Sequence, residues 1–343
     1  MARKTILNNI TTPELIKQIN PNNKKLMDDY LMYLKSIQRS ETTVNSYKND
    51  LEIFFVWCLK NADNKFFIDI TKRDIISYQN YLLYENKNSA SRVRRLKATL
   101  SSLSNYIENI MDMEYPNFRN IVNKVENPIN EPVREKSIFE ENEIQYLLDY
   151  LINKKEYQKA CLVALAMASG RRKSELVRFK ANYFDKENLL YGSLYKTPEK
   201  IKTKGRGKGK FLYCYILKSK FQKYFDLWMA QRTELGINSE WLFVSYNNKT
   251  KKWEQMNVTK LNSWANSFTK ILNKDFYWHS LRHNFCTFLL KSGLPDSVVQ
   301  EIFGWDSAEM VNIYNDQTTD DQLSNYFDEN GIKSNIAKNI SEL

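Results

Sequence analysis

From Leu26 onward the apolar residues of this sequence recur at helical intervals. Leu26, Tyr30, Met32, Tyr33 and Ile37 form a largely one-sided stripe, the mark of an amphipathic helix. Ser40-Glu41-Thr42-Thr43 supplies N-cap chemistry for a second helix carrying Val44, Tyr47, Leu51, Phe54 and Phe55. A third pattern runs through Ile75, Tyr78, Tyr81 and Leu82, and Ser89-Ala90-Ser91 opens a fourth with Val93, Leu96, Leu100, Leu103 and Tyr106. Before Leu26 the chain is polar, with prolines at 13 and 21, and residues 1–25 read as a flexible or lightly ordered lead-in. The stretch from Lys124 to Ser137 contains two prolines, mixed charge and no hydrophobic period, which is linker composition. These patterns divide the chain into a lead-in, a helical region over 26–125, a linker at 126–137 and a second region over 138–343.

Helical patterning resumes near Glu140. Between about 185 and 217 the period shortens. Turn-formers cluster at Asp185-Lys186-Glu187-Asn188 and Gly205-Arg206-Gly207-Lys208-Gly209, and the run from Phe211 to Leu217 is rich in aromatic and β-branched residues. That composition predicts a strand. The expected fold class is mainly α: an all-helical N-terminal domain followed by a mixed α/β C-terminal domain with a small antiparallel sheet. The sequence contains no internal repeat or low-complexity tract.

Charge narrows the function. Among 343 residues, 51 Lys and Arg against 40 Asp and Glu give a net charge of +11, with a pI near 9.2. A chain this basic usually meets a polyanion, nucleic acid foremost; a surface made basic for solubility alone is the blander reading. Cys58, Cys161, Cys214 and Cys286 are far apart among apolar or aromatic neighbours, which reads as buried reduced thiols in a cytosolic protein. With two histidines in the chain, a zinc site is discounted. The N-terminus has the character of neither a signal peptide nor a membrane anchor, and no apolar stretch is long enough to span a bilayer.

Four clusters carry candidate chemistry. In His279-Ser280-Leu281-Arg282-His283, helical spacing places the three polar groups on one face, pairing an acid/base candidate with a fork of fixed donors suited to phosphate. Taken alone, a structural histidine and a surface arginine explain His-x-x-Arg better. In Ser169-Gly170-Arg171-Arg172-Lys173-Ser174-Glu175 one helix ends and another starts with two arginines, which favours an anion. Glu175 is within reach of Arg172; a surface salt bridge would contribute little. Lys202, Lys204, Lys208 and Lys210 flank a glycine-rich turn that lets a lysine project into a site, or touch DNA non-specifically. Arg92, Arg94, Arg95 and Lys97 crowd the start of the fourth helix; phosphate contact and a solvated basic face explain them about equally. Tyr314, one of 21 tyrosines, does not stand out by type.

In this order and at these intervals the blocks resemble the tyrosine recombinase (phage integrase) family. His279-x-Leu281-Arg282-His283, Leu289-Leu290-x-x-Gly293, Val299-Gln300-Glu301-Ile302-Phe303-Gly304 and Tyr314 match one conserved box, and Gly170-x-Arg172-x-Ser174-Glu175-Leu176 the other. Arg282 precedes Tyr314 by 32 residues and Trp305 precedes it by 9, as the family leads one to expect. Residues 26–106 resemble its helical core-binding domain. The resemblance implies a simple two-domain enzyme of the Cre and Xer recombinase type, with a core-binding, DNA-binding domain over 26–125 and a catalytic domain over 138–343. It implies that Arg172 and Arg282 clamp the scissile phosphate and that His279 is the acid/base. Lys204, or one of its neighbours Lys202, Lys208 and Lys210, protonates the leaving 5′ oxygen. Glu175 supports from behind, and Tyr314 attacks phosphorus. Most members carry histidine where this chain has Trp305; an indole donates a hydrogen bond but cannot shuttle a proton, so Trp305 donates and packs. His283 packs or orients.

The same resemblance implies no metal, ATP or other cofactor, and double-stranded DNA with inverted repeats as the partner. It implies a homotetramer working through a Holliday-junction intermediate in the cytoplasm at the nucleoid. After Tyr314, residues 320–327 and 332–343 are expected to be helical, the tail docking on a neighbouring protomer or covering its own domain. Two other readings stand beside this one: a type IB topoisomerase, and a DNA-binding regulator of integrase descent that no longer cuts.

Overall fold

A computed structural model describes residues 10–129, 139–203, 209–318, 323, 327–329 and 331–332. The chain forms two compact units, one within Ala2–Glu135 and one built from Lys136–Lys204 and Lys210–Leu343. Among the described residues no helix is long and apolar enough to cross a membrane.

The first unit is helical: α1 (Pro13–Gln18), α2 (Pro21–Ser36), α3 (Glu41–Asn61), α4 (Lys72–Asn80) and α5 (Ala90–Ile110). The caps read from sequence are in place: the Ser40 and Ser89 hydroxyls accept from the amides of Thr43 and Arg92. The expected lead-in differs. Residues from Ile10 on belong to this unit, with Ile19 and Asn23 buried. Pro13 and Pro21 each occupy the start of a helix, where the missing N–H costs nothing because that position lacks a partner in any helix. Asn23 then ties α2 to the turn before α4, donating to the Lys65 carbonyl at 2.8 Å and accepting from the Phe67 amide at 2.8 Å.

The basic start of α5 also needs correction. Lys97 follows Val93 by one turn and lies on the inward face, 3% exposed. Its Nζ donates to Gln79 Oε1 at 2.7 Å and to the carbonyls of Val125 and Glu126 at 2.9 Å each, so this ammonium is consumed inside the unit and is not offered to phosphate. Burial, and then Arg94, push its pKa below the usual lysine range. Arg92 and Arg95 converge on the buried carboxylate of Asp50, at 2.8 and 3.5 Å. Arg94 and Arg95 remain exposed. A run of charge defines no face, because a helix spreads consecutive residues around its circumference.

The second unit is organised around α7 (Tyr157–Ser169), whose residues from Ala160 to Ala166 are all buried. A helix apolar on every side needs neighbours on every side. α6 (Glu141–Asn153), α9 (Lys218–Glu234) and α11 (Trp278–Lys291) supply them. The short α8 (Lys173–Leu176), then α10 (Lys260–Leu272), α12 (Asp296–Phe303) and α13 (Glu309–Tyr314) complete the helices described here.

Strands β1 (Leu189–Leu190), β2 (Leu194–Lys196) and β5 (Tyr215–Leu217) form an antiparallel sheet in the order β1-β2-β5, and β3 (Ile201–Lys202) pairs with β4 (Phe211–Leu212). The predicted strand over 211–217 is therefore broken in two. Cys214, buried at the break, bonds through its carbonyl and amide to Thr197, each at 3.0 Å. A further hairpin, β6 (Val244–Asn247) and β7 (Lys252–Gln255), has no counterpart in the sequence reading. Near the C-terminus Phe327–Asp328 pairs antiparallel with Gly331–Ile332, where helix was expected up to 327 and again from 332; the remaining residues of that expectation, apart from Leu323, lie outside the described residues.

Lys97→Ala is expected to lower the free energy of unfolding by roughly 2–3 kcal/mol, since it strands three buried acceptors. Urea denaturation checks this; a change within about 0.5 kcal/mol, as for ordinary surface substitutions, would return Lys97 to the surface.

Candidate active site

The second unit brings seven of the expected site residues together: Arg172, Glu175, His279, Arg282, His283, Trp305 and Tyr314. Gly170 ends α7 in the left-handed conformation, φ +59°. A Cβ there would sit 2.7 Å from the Phe285 ring and 2.8 Å from Phe303, so only glycine permits the close approach. The chain then turns into α8 with Arg172 at its cap. The buried carboxylate of Glu175 accepts from Arg172 Nη1 and from the Arg172 amide, each at 3.1 Å. That contact holds the guanidinium while leaving it half-exposed.

Arg282 comes from α11 and is fully buried. Its Nη1 donates to the Gly170 carbonyl at 2.7 Å. Its Nε and Nη2 find no hydrogen-bond partner among the described residues. Burial, followed by the charges of Arg171 and Arg172, pushes its pKa down to about 9. The side chain stays cationic at neutral pH, with two donor nitrogens unspent among the described residues.

α13 delivers Tyr314, 5% exposed, with its hydroxyl 2.8 Å from His279 Nε2. Desolvation of the ring, then His283, Arg282 and Arg172, push the His279 pKa down to about 4. The residue retains an open edge to solvent; the packed side facing Tyr314 and the cations accounts for the shift. A neutral imidazole can accept the phenolic proton. His283 stacks on the Tyr314 ring at 4.4 Å, with Nδ1 3.4 Å from Asp316. Behind Tyr314, Thr287 Oγ1 accepts from the Asp316 amide at 3.0 Å.

Trp305 stacks on Phe303 with ring centroids 4.4 Å apart and lies 4.8 Å from Tyr314. Its indole Nε1 is buried without a partner among the described residues. Lys204 and Lys208 lie outside the described residues. Lys202 is exposed on β3. Lys210 Nζ donates to the Gly304 carbonyl at 2.9 Å and pairs with Asp306 at 2.6 Å, which ties β4 to the turn carrying Trp305. The arginines of α5 belong to the first unit.

The residues alone did not separate Arg171 from Arg172; the family resemblance picked out Arg172 and gave Arg171 no role. Arg171 is 1% exposed and turns inward, donating to the Ser169 carbonyl at 3.2 Å and to the Ile302 carbonyl. The signal was the turn itself: after a left-handed glycine, successive side chains leave on opposite sides. Phe303 was also missed as a site residue, because an apolar position reads as core.

Beside the site a cleft of about 380 Å³ is lined by Arg172, Ser174, Asn262, Tyr277, Trp278 and His279 among others. Chemically, the arrangement holds a phenolic hydroxyl against a neutral imidazole, next to two guanidiniums with unused donors. It suits attack on a phosphodiester, whose non-bridging oxygens match the arginine forks.

Residues 137–321 match the Phage integrase family, and residues 26–117 match the Phage integrase N-terminal SAM-like domain. The chain is 28% identical over 290 residues to the SPbeta prophage-derived recombinase-like protein YomM of Bacillus subtilis (strain 168), covering 82% of each. It is 25% identical to a tyrosine recombinase XerC of Leptospira interrogans, covering 83% of this chain and 86% of the relative. In fold it is similar to a Tn1549 transposon integrase solved with a circular intermediate DNA, at a TM-score of 0.65 and 15% identity, over 88% of this chain and 98% of that one.

In the DNA-free protein His279 is expected to titrate near pH 4. An unfolded chain takes up that proton near 6.5, so this group's contribution to stability is complete above about 6.5 and is lost as pH falls toward 4. With two histidines in the chain, an NMR titration of the ring protons resolves each; a His279 midpoint near 6.5 would contradict a ring partly desolvated against Tyr314 and flanked by cations.

Proposed function

The chain belongs to the phage integrase family, the tyrosine recombinases that act site-specifically on DNA, and we propose that it cuts and rejoins DNA strands through Tyr314. The observation that carries this reading is the 2.8 Å contact between the Tyr314 hydroxyl and His279 Nε2, set beside an Arg282 guanidinium with two unspent donors.

In this reading Arg172 and Arg282 bind the non-bridging oxygens of the scissile phosphate. Their value rises as negative charge builds in the pentavalent transition state; a preorganised donor of this kind is typically worth about 10²–10³ in rate. The Tyr314 oxygen bonds to phosphorus as the bond to the 5′ oxygen breaks. The phenolic proton passes to His279, and the leaving 5′ oxygen takes a proton from Lys204. The products are a 3′-phosphotyrosyl link and a free 5′ hydroxyl. The link conserves the energy of the phosphodiester, so attack by a 5′ hydroxyl reverses the steps and reseals the strand. Glu175 holds Arg172 in place, Trp305 donates its indole N–H to a phosphate oxygen, and His283 braces the tyrosine ring.

The 26–125 region serves as the core-binding domain, joined by the 126–137 linker to a catalytic domain over 138–343. Arg94 and Arg95, exposed at the start of α5, are its phosphate contacts; Asp50 holds Arg92 at 2.8 Å and Arg95 more loosely, at 3.5 Å. The partner is double-stranded DNA with an inverted-repeat site. Recombination proceeds in a homotetramer in which two protomers cut at a time.

Tyr314→Phe is expected to bind its DNA site with near wild-type affinity and to form no covalent adduct on a nicked suicide substrate in a denaturing gel. Persistence of the adduct would mean that another tyrosine is the nucleophile. Site binding is expected to weaken by roughly 10³-fold or more between about 50 and 200 mM salt, through counterion release; a flat salt dependence in a filter-binding titration would count against a charged clamp on the backbone.

A further inference from the structure

Arg282 has no carboxylate partner among the described residues, yet it is fully buried. Its surroundings explain how it is held. The guanidinium carbon lies 4.5 Å from the centre of the Phe303 ring, 5.3 Å from Trp305 and 5.5 Å from Tyr314. Three aromatic faces thus surround a cation whose only peptide contact among the described residues is the Gly170 carbonyl. Trp305 and Tyr314 have chemical work of their own. Phe303 has no polar atom and does not touch the reacting groups, but it is the nearest ring to the cation. It is also stacked on Trp305 with an interplanar angle of 13°.

We propose that Phe303 is a positioning residue for strand cleavage, a ring platform that fixes the Arg282 fork and the Trp305 indole against the scissile phosphate. The inference rests on the reading of Arg282 as a phosphate clamp. Ring faces carry negative electrostatic potential, so they hold a guanidinium in plane without competing for its N–H groups. A carboxylate in the same place would neutralise the cation and take the donors that phosphate needs. The platform is itself anchored: Arg171, at 5.9 Å from the same ring, binds the Ile302 carbonyl one residue earlier, and the ring packs on Gly170, where a Cβ would lie 2.8 Å away. The position that reads as plain core in sequence therefore joins the Gly170–Arg172 turn, α11 and the Trp305 turn at one ring.

The test is single-turnover cleavage by the full chain of two suicide substrates, one with an ordinary scissile phosphodiester and one with a methylphosphonate there. The methylphosphonate replaces a charged non-bridging oxygen by methyl, so it draws less on Arg282. Phe303→Leu keeps the position apolar and removes the ring; Phe303→Met, a flexible gap-filler, is read in parallel. The expected result is a loss of about 10-fold on the phosphodiester, the scale of a desolvated cation–π contact, and a much smaller loss on the methylphosphonate, with site binding unchanged. Equal losses on both substrates, no loss in either folded variant, or failure of both variants to fold would each overturn the proposal and leave Phe303 as core alone. Failure of the underlying reading is distinct: Arg282→Lys would then cleave the phosphodiester as fast as the wild type.

Discussion

The unit that contains Tyr314 is built around one buried cation, Arg282, with no carboxylate in ion-pair contact among the described residues. Placing the Arg282 guanidinium out of water without a carboxylate is costly, and the surrounding chain is arranged to hold it. Gly170 must be glycine so that its carbonyl reaches Nη1. Phe303 and Trp305 must be aromatic to face the cation. α7 must be apolar on all sides so that the turn at its end sits at the centre of the unit. Such preorganisation is what an anion-binding centre requires, because donors already desolvated and fixed need no rearrangement when charge develops.

The same constraint orders the proton chemistry. Desolvation first, and then the neighbouring His283 and the charges of Arg282 and Arg172, keep His279 neutral, and a neutral imidazole beside a phenol is a base. A bound phosphate would reverse part of that field, making the imidazole easier to protonate as the tyrosine loses its proton. The Tyr314 hydroxyl, the His279 imidazole and the Arg282 guanidinium are thus one electrostatic system, and His283 and Asp316 complete it by bracing the ring from behind.

Much of this was legible in the sequence, for reasons that differ by residue. The caps at Ser40 and Ser89 are local chemistry, and local chemistry survives folding. His279, Arg282 and His283 share a helix face, so spacing alone placed them together. Glu175 is three residues from Arg172 and found it. What escaped depends on distant segments. Lys97 and Arg94 look alike in a string of letters and sit one turn apart on α5, yet Lys97 spends its ammonium on Gln79 and the carbonyls of Val125 and Glu126, while Arg94 stays exposed and reaches the Pro128 carbonyl. Pro13 and Pro21 read as breakers until the helices that they begin are seen. The split of the 211–217 run depends on Thr197, and the platform role of Phe303 on Arg282, Trp305 and Arg171, which no window of sequence holds together.

Gly304 has a consequence for how this chain can vary. It bears a positive φ of +65°, and a Cβ there would fall 2.0 Å from Leu212 Cδ1. The leucine on β4 thus occupies the space that a side chain at 304 would need, while Lys210, two residues earlier, grips the Gly304 carbonyl. Positions 210, 212 and 304 are therefore not independent letters. Drift at one is tolerated only with accommodation at the others, so these sites should change together across descendants of this sequence, and a chimaera joining β4 of one lineage to the Trp305 turn of another would inherit a mismatch at that joint.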